Sequence, residues 1–377
     1  MDLETKLNLI TRNTEEILTE KDLRILLDAG HHFKHYIGFE VSGKIHLGTG
    51  IMCMNKIKDF MDAGVDVSIF LADWHSWIND KLGGNMETIK RVGVGYFKEG
   101  MKASLECIGG NPDKLKFILG SELYHNNDDY WATLIEIGKN TTLSRVKRSI
   151  TIMGRKEGDS VDFAKLMYPP MQVADIFIQE ISLPHAGSDQ RKAQVIARDV
   201  ALKLKLKPLL DREGNKIKPV AVHHPLILGL GKPSIWPIPK DQLQELWSSL
   251  KMSKSKPDTC IFIHDSPKEI KRKIKNAFCP EGEIEFNPIL DWTKHLIFRE
   301  DRSKLLIERP EKFGGDITFY TYTELEKAFQ EKKLHPMDLK NAVANKLIEL
   351  LEPARNHFEK PRVKKMLEEL NKLIITR

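Results

Sequence analysis

The sequence predicts an α/β protein in two parts: a parallel-sheet unit with a helical insertion over residues 1–265, then a mainly α-helical unit over residues 266–377. Three observations predict it. An apolar run at Tyr36–Phe39, a glycine-rich turn, a helical run from about Ile51 to Ala63 and a second apolar run at Val65–Ala72 spell strand, turn, helix, strand. Such a βαβ unit joins parallel strands. Past Ser266–Pro267 the apolar spacing becomes helical, beginning with PKEIKRKIKNAF. A length of 377 residues also exceeds the roughly 250–300 that a single core holds together, so more than one packed unit is required.

The elements follow in order. The opening segment carries Leu7, Ile10, Ile17, Leu18, Leu23, Leu26 and Leu27 at helical spacing. Gly64 ends the helix before it as a C-cap glycine does. Residues Met86–Met153 are mostly helical with a strand near Leu115–Leu119, and the insertion is placed at about residues 78–160. Met171–Gln179 and Asp189–Lys205 are expected as helices, Val220–Val222 and Leu226–Leu228 as strand pieces. Residues 211–250 hold glycines, prolines and Trp236 without a long periodic element, an excursion leading to a loop at Lys251–Lys256. The change of pattern places a boundary near Asp265.

Composition excludes several classes. Hydrophobic residues at 41% and charged residues at 30% give a globular balance and argue against long disorder. No apolar run reaches the roughly 18 residues of a membrane span. The N-terminus, MDLETKLNLITRNTEE, is charged and lacks an apolar signal core, so a cytoplasmic protein is expected. Cys53, Cys107, Cys260 and Cys279 stand apart, without zinc spacing, so no metal held by the protein is expected and the thiols are read as reduced. Net charge is +6, and from Lys251 onward there are 26 Lys+Arg against 21 Asp+Glu, compared with 33 against 32 before it. A basic last third suits a polyanion, although a solvated surface of accidental sign fits equally well.

Two segments carry chemistry. Gly43-Lys44-Ile45-His46-Leu47-Gly48-Thr49-Gly50 follows the first strand and opens a helix, which points backbone N–H groups at whatever binds beyond the strand's end. His46 adds a donor, and Gly48 and Gly50 allow a phosphate or an adenine close to the backbone. Lys251-Met252-Ser253-Lys254-Ser255, followed by Lys256 and Pro257, is a cationic arm rich in donors. It can close on a triphosphate and stabilise charge on departing pyrophosphate.

Together, in this order and at this separation, the two segments resemble the signatures of the class I aminoacyl-tRNA synthetases. One position departs from the family: Thr49 stands where a second histidine is usual, and a hydroxyl donates to phosphate without carrying charge. Tyr168-Pro169-Pro170-Met171-Gln172-Val173-Ala174-Asp175 resembles the substrate helix of the archaeal- and eukaryotic-type tyrosyl-tRNA synthetases. The resemblance implies a Rossmann-like catalytic unit, with His46, Thr49, Lys251 and Lys254 catalytic and Gly38, Glu40, His46, Gly48 and Lys254 on ATP. It implies tyrosine held by Tyr168 and Gln172 at its ammonium end and by Asp175 and Tyr36 at its hydroxyl, with Gln190, in DQRK, completing the pocket. An ordinary ion pair of Asp175 with a nearby Lys or Arg is the plainer alternative.

The last third resembles the helical anticodon-binding unit of the same subgroup through RPEKFGGD and HPMDLKN. By that resemblance Phe313, His335 and Asp338 contact the anticodon and Arg191 lies near the acceptor end, while Phe313 as core, Asp338 as a helix-dipole carboxylate and Arg191 paired with Asp189 or Asp175 are the bland alternatives. The resemblance further implies ATP with Mg²⁺, tRNA and L-tyrosine as partners, and a homodimer formed largely by the insertion. Three rivals stay open: a tryptophanyl-tRNA synthetase, a synthetase-like RNA-binding protein without charging activity, and a small-molecule nucleotidyltransferase.

Overall fold

The computed structural model describes residues 1–238, 250–300 and 303–373, so part of the 211–250 excursion, residues 239–249, lies outside the described residues. Six strands form one sheet: β1 (Glu16–Leu18), β2 (Lys34–Phe39), β3 (Asp66–Leu71), β4 (Lys116–Leu119), β5 (Leu183–Gly187) and β6 (Ala221–His224), in the order β1-β6-β5-β2-β3-β4. Neighbours are parallel except β1, which runs antiparallel to β6. β3 is buried along Val67–Leu71 because helices cover both faces, which is why its sequence is nearly continuous in apolar residues. The order steps outward from β2 in two directions, through β3 to β4 and through β5 to β6. A crevice opens at such a switch point, outside the carboxyl ends of β2 and β5.

The βαβ unit stands where the sequence places it. Gly64 takes a φ of +79° just past the helix Cys53–Asp62, a conformation glycine adopts at no steric cost. The stretch 78–160 is mostly helical, with β4 pairing with β3, and no helix covers residues 154–160. Elsewhere the expectations need correction. Ile17 and Leu18 belong to β1, not to a helix, because Thr19 starts a new helix by accepting the Asp22 amide at 3.1 Å. The helix expected over Asp189–Lys205 runs only from Arg191 to Val200. The amides of Lys205 and Leu206 go instead to the Glu136 carboxylate, at 2.9 and 3.1 Å. Leu226–Leu228 is no strand: Leu228 makes one isolated bridge, to Lys251. Gly50 packs closely against the chain itself. A Cβ there would lie 2.6 Å from Ser104 Oγ and 2.9 Å from Ile45 and Ile263, so packing requires that glycine.

The last third holds the helices Pro267–Lys275, Pro288–Trp292, Tyr322–Gln330, Pro336–Leu350, Glu352–Glu359 and Pro361–Asn371. Ser266 caps the first of these, and Thr321 with Glu324 forms a capping box on the third. An antiparallel hairpin, β7 (Leu305–Ile307) with β8 (Ile317–Phe319), was not expected. One apolar core runs from the sheet through Trp292, Leu339, Leu347 and Phe358. Among the described residues no helix is long and apolar enough to cross a membrane.

Candidate active site

Backbone pairing brings the two chemistry-bearing segments together. His46 bridges Phe262, with Leu47 N–H on the Ile261 carbonyl at 3.0 Å and Ile263 N–H on the Ile45 carbonyl at 3.1 Å. Upstream, Met252 N–H donates to the Ile227 carbonyl at 2.8 Å and Gly229 N–H to the Leu250 carbonyl at 2.7 Å. Lys251 and Lys254 therefore reach out from a segment held on both sides. Beneath them a wide turn, Gly48–Met52, leads into the helix Cys53–Asp62.

A cavity of about 400 Å³ lies at the switch point. Gly38 and Glu40 reach it from the end of β2, His46, Gly48 and Thr49 from the turn, Tyr168 and Gln190 from one side, and Lys251 and Lys254 from above. Lys44 and Lys81 line it as well. Its carboxylates are occupied. Glu40 accepts from Asn79 Nδ2 at 2.7 Å and Tyr168 OH at 3.0 Å and lies 3.3 Å from Lys81 Nζ, while Asp189 holds Lys251 Nζ at 2.6 Å. Lys254 donates to Ser42 Oγ. Burial, with Lys81 nearby, pushes Lys254 down to about 8, and Glu40 opposes the shift. Burial beside Lys254 and Lys251 pushes His46 down to about 3, so its imidazole is neutral and works through hydrogen bonds. Nδ1 accepts the Thr49 amide and Nε2 meets Thr49 Oγ1, both at 3.3 Å. Four lysines against two carboxylates leave the cavity cationic, suited to a polyphosphate.

Behind its wall lies a second cluster. The helix Phe163–Ile178 carries Tyr168, Gln172 and Asp175 at spacings of four and three, hence on one face. Gln172 Nε2 donates to Gln190 Oε1 at 3.4 Å, and Gln190 Nε2 to the Ile152 carbonyl at 2.9 Å. Tyr36 OH donates to the Gln172 carbonyl at 3.5 Å. Asp175 is 1% exposed and accepts from Tyr124 OH at 3.0 Å. Among the described residues no lysine or arginine pairs with it, which removes the plainer ion-pair alternative. Burial pushes its carboxyl well above the usual range, and the Tyr124 hydrogen bond opposes this. Gln172 Oε1 and both ring nitrogens of His75, whose Nε2 lies 3.8 Å from Asp175, are buried without hydrogen bonds. Such concentrated unpaired polar atoms are costly until a small polar molecule meets them. Tyr36, Gln172 and Asp175 do not line the cavity; Tyr168 and Gln190 connect them to it.

Sequence reasoning missed Ser42, Asn79, Lys81 and Tyr124, and took Asp189 only as a helix start or as a partner of Arg191. A usable signal was the non-periodic Asn79–Gly84 stretch, where Asp80 and Leu82 hold φ values of 55° and 50°, strain of the kind that collects at functional loops. The remaining expected residues lie away from the cavity. Phe313 is 60% exposed with Lys312 Nζ 4.9 Å above its ring, so it is not core. His335 Nδ1 caps the helix Pro336–Leu350 by accepting the Met337 amide, and Asp338 sits in that helix's first turn. Among the described residues Asp338 has no side-chain partner. Arg191 pairs with Glu16, at 2.7 Å from Nε and 2.8 Å from Nη2, rather than with Asp189 or Asp175.

The chain is similar to known proteins over most of its length. The family described as tRNA synthetases class I (W and Y) matches residues 28–352. The chain is 58% identical over 362 residues, 96% of each chain, to a protein of Thermococcus sibiricus named tyrosine–tRNA ligase. It is 59% identical over the same shares to one of that name in Thermococcus kodakarensis. The crystal structure of a tyrosyl-tRNA synthetase complexed with L-tyrosine from Pyrococcus horikoshii superposes with a TM-score of 0.95 at 55% identity, covering 98% of this chain and 100% of that one.

The cationic cavity yields a pH prediction. Lys254 loses its proton as pH rises through about 8, and an anion binds the protonated form. Inorganic triphosphate affinity, measured by calorimetry, should therefore fall above that pH with protons taken up on binding. Lys254→Arg should flatten the dependence, because guanidinium keeps its charge. A flat profile between about pH 7 and pH 9 in the unsubstituted protein would remove Lys254 from the anion site.

Proposed function

The chain belongs to the class I tRNA synthetases of the tryptophan and tyrosine family, and from that membership we propose how its residues divide the work. The protein activates L-tyrosine with ATP to tyrosyl-adenylate and transfers the tyrosyl group to the 3′ end of tRNA(Tyr). Relatives at 58% and 59% identity carry that name, which sets tryptophan aside. The observation that carries the residue assignment is the cluster of buried Asp175 and Tyr36 with half-buried Gln172 behind a cationic cavity. Asp175 and Tyr36 take the phenolic hydroxyl, a donor that phenylalanine lacks. Tyr168 and Gln172 hold the ammonium end, and Gln190 completes the pocket.

In the first step the tyrosine carboxylate attacks the α-phosphorus of ATP, one P–O bond forms, and the bond to pyrophosphate breaks. The carboxylate is already ionised, so no general base is needed. Alignment and charge stabilisation supply the catalysis. Neutral His46 and Thr49 donate hydrogen bonds to the phosphates, Lys251 and Lys254 neutralise the leaving pyrophosphate, and Gly38, Glu40 and Gly48 seat the nucleotide. Glu40 and Asp189 are already held by Lys81 and Lys251, and no metal-holding group of His, Cys, Asp or Glu exists among the described residues. In this proposal Mg²⁺ accompanies the ATP. In the second step the terminal ribose hydroxyl of tRNA attacks the acyl carbon, AMP leaves and the hydroxyl proton passes to solvent.

Residues 266–377 form the anticodon-binding unit in this proposal. Exposed Phe313 stacks on a base, Asp338 accepts from a base edge, His335 borders them, and Arg191 serves the acceptor end. Two chains associate through the insertion, where Ile135 and Leu143, with Trp77 and Phe163 flanking its two ends, expose large apolar surfaces.

Replacing Asp175 by Ala should reduce the tyrosine-over-phenylalanine ratio of kcat/KM by about 10- to 100-fold, the worth of one hydrogen bond to a charged group; an unchanged ratio would take Asp175 out of the pocket. Asp338→Ala should weaken tRNA charging while adenylate formation stays intact, and equal losses in both would mean a folding defect instead. Ile135→Glu with Leu143→Glu should shift sedimentation from dimer to monomer, and a monomer already present before substitution would end the dimer proposal.

A further inference from the structure

The root of the cationic loop is held by a part of the chain that no step above uses. Residues 227–229 pair with 250–252 along one edge, through the Met252-to-Ile227 and Gly229-to-Leu250 bonds. In this two-rung ribbon Leu228 sits opposite Lys251. The polar atoms of Leu228 itself face the other way. Its N–H donates to Asp291 Oδ2 at 2.8 Å, and its carbonyl accepts from Trp292 Nε1 at 2.8 Å. Two consecutive side chains of the short helix Pro288–Trp292 thus occupy the edge where a third strand would pair. Trp292 is fully buried, and the Asn287 carboxamide caps the helix at Ile289 and Leu290, at 3.1 and 3.3 Å. The support is buried and hydrogen-bonded, whereas beyond the ribbon Ser253 and Lys254 are partly exposed and Ser255 is exposed.

We propose that Asp291 and Trp292 are positioning residues for adenylate formation, fixing through the Leu228 peptide the ribbon from which Lys251 and Lys254 reach the phosphates. The proposal rests on the assignment of those lysines to the triphosphate. A shift of about 1 Å at the root carries the ammonium groups out of contact with charge that develops only in the transition state, so the loss falls on kcat. The last third of the chain thereby sets the chemistry in the first.

The test is a double-mutant cycle read by single-turnover adenylate formation with the full-length protein. Trp292→Phe keeps the ring packing and removes the indole donor; Asp291→Ala removes the acceptor and Asp291→Asn retains one. Trp292→Phe and Asp291→Ala should each lower kcat about tenfold with tyrosine KM unmoved, and Asp291→Asn should restore the rate. Both losses should shrink towards none in a Lys254→Ala background, because the loop they position has lost its charge. Unchanged kcat in folded Asp291→Ala protein overturns the proposal, as do losses that add fully to that of Lys254→Ala or that raise tyrosine KM in step. If Trp292→Phe does not fold, the two Asp291 variants decide alone. If Lys254→Ala by itself leaves the rate unchanged, the lysine assignment fails first and takes the proposal with it.

Discussion

Two backbone rungs between residues 45–47 and residues 261–263 govern where the chemistry sits. Each hydrogen bond is worth only about 0.5–1.5 kcal/mol net, but together they dictate geometry. They carry the His46 turn beside the lysine loop, over the crevice that β2 and β5 leave at their carboxyl ends. Gly50 makes the same join from within, since it alone lets the turn close on Ile263 and Ser104. Tyr96 completes it, accepting the Ile45 amide at 3.0 Å and meeting His264 Nε2 at 3.1 Å.

Charge then decides what the crevice holds. Burial takes His46 out of the ionised range and lowers Lys254, so the free site is less cationic than a count of basic residues suggests. An incoming polyphosphate restores what burial removes, because it favours the protonated lysine. The amino-acid end obeys the opposite logic. Asp175 has no lysine or arginine partner among the described residues and accepts from the Tyr124 hydroxyl, so hydrogen bonding rather than neutralisation satisfies it.

Much of this was legible before any coordinates. A period change from strand to helix is local, and so is the glycine turn, which is why β2, β3 and the helix between them follow from residues 36–72. KMSKS and the 168–175 helix lie in short contiguous strings, and Tyr168, Lys251 and Lys254 from them line one cavity. What was not legible depends on contacts distant in the chain. Ile17 and Leu18 fit helical spacing, and only pairing with Ala221–His223 makes them a strand. Tyr124 reaches Asp175 across the fold, and Asp291 and Trp292 reach Leu228. None of these leaves a local pattern. The burial of Tyr36, Gln172 and Asp175 behind the cavity wall is likewise a property of packing, not of the motif that contains them.

Amino-acid-dependent exchange of pyrophosphate into ATP, run in parallel with tyrosine, tryptophan and phenylalanine, tests the central claim most directly. Exchange with tyrosine alone is the expected result, since it requires both the cationic cavity and the hydroxyl-reading cluster behind it. Exchange with tryptophan instead would keep the phosphate chemistry and contradict the role given to Asp175 and Tyr36. No exchange with any of the three, from a folded protein that still binds tRNA, would contradict the catalytic assignment itself and point to Thr49 as a substitution the site cannot absorb.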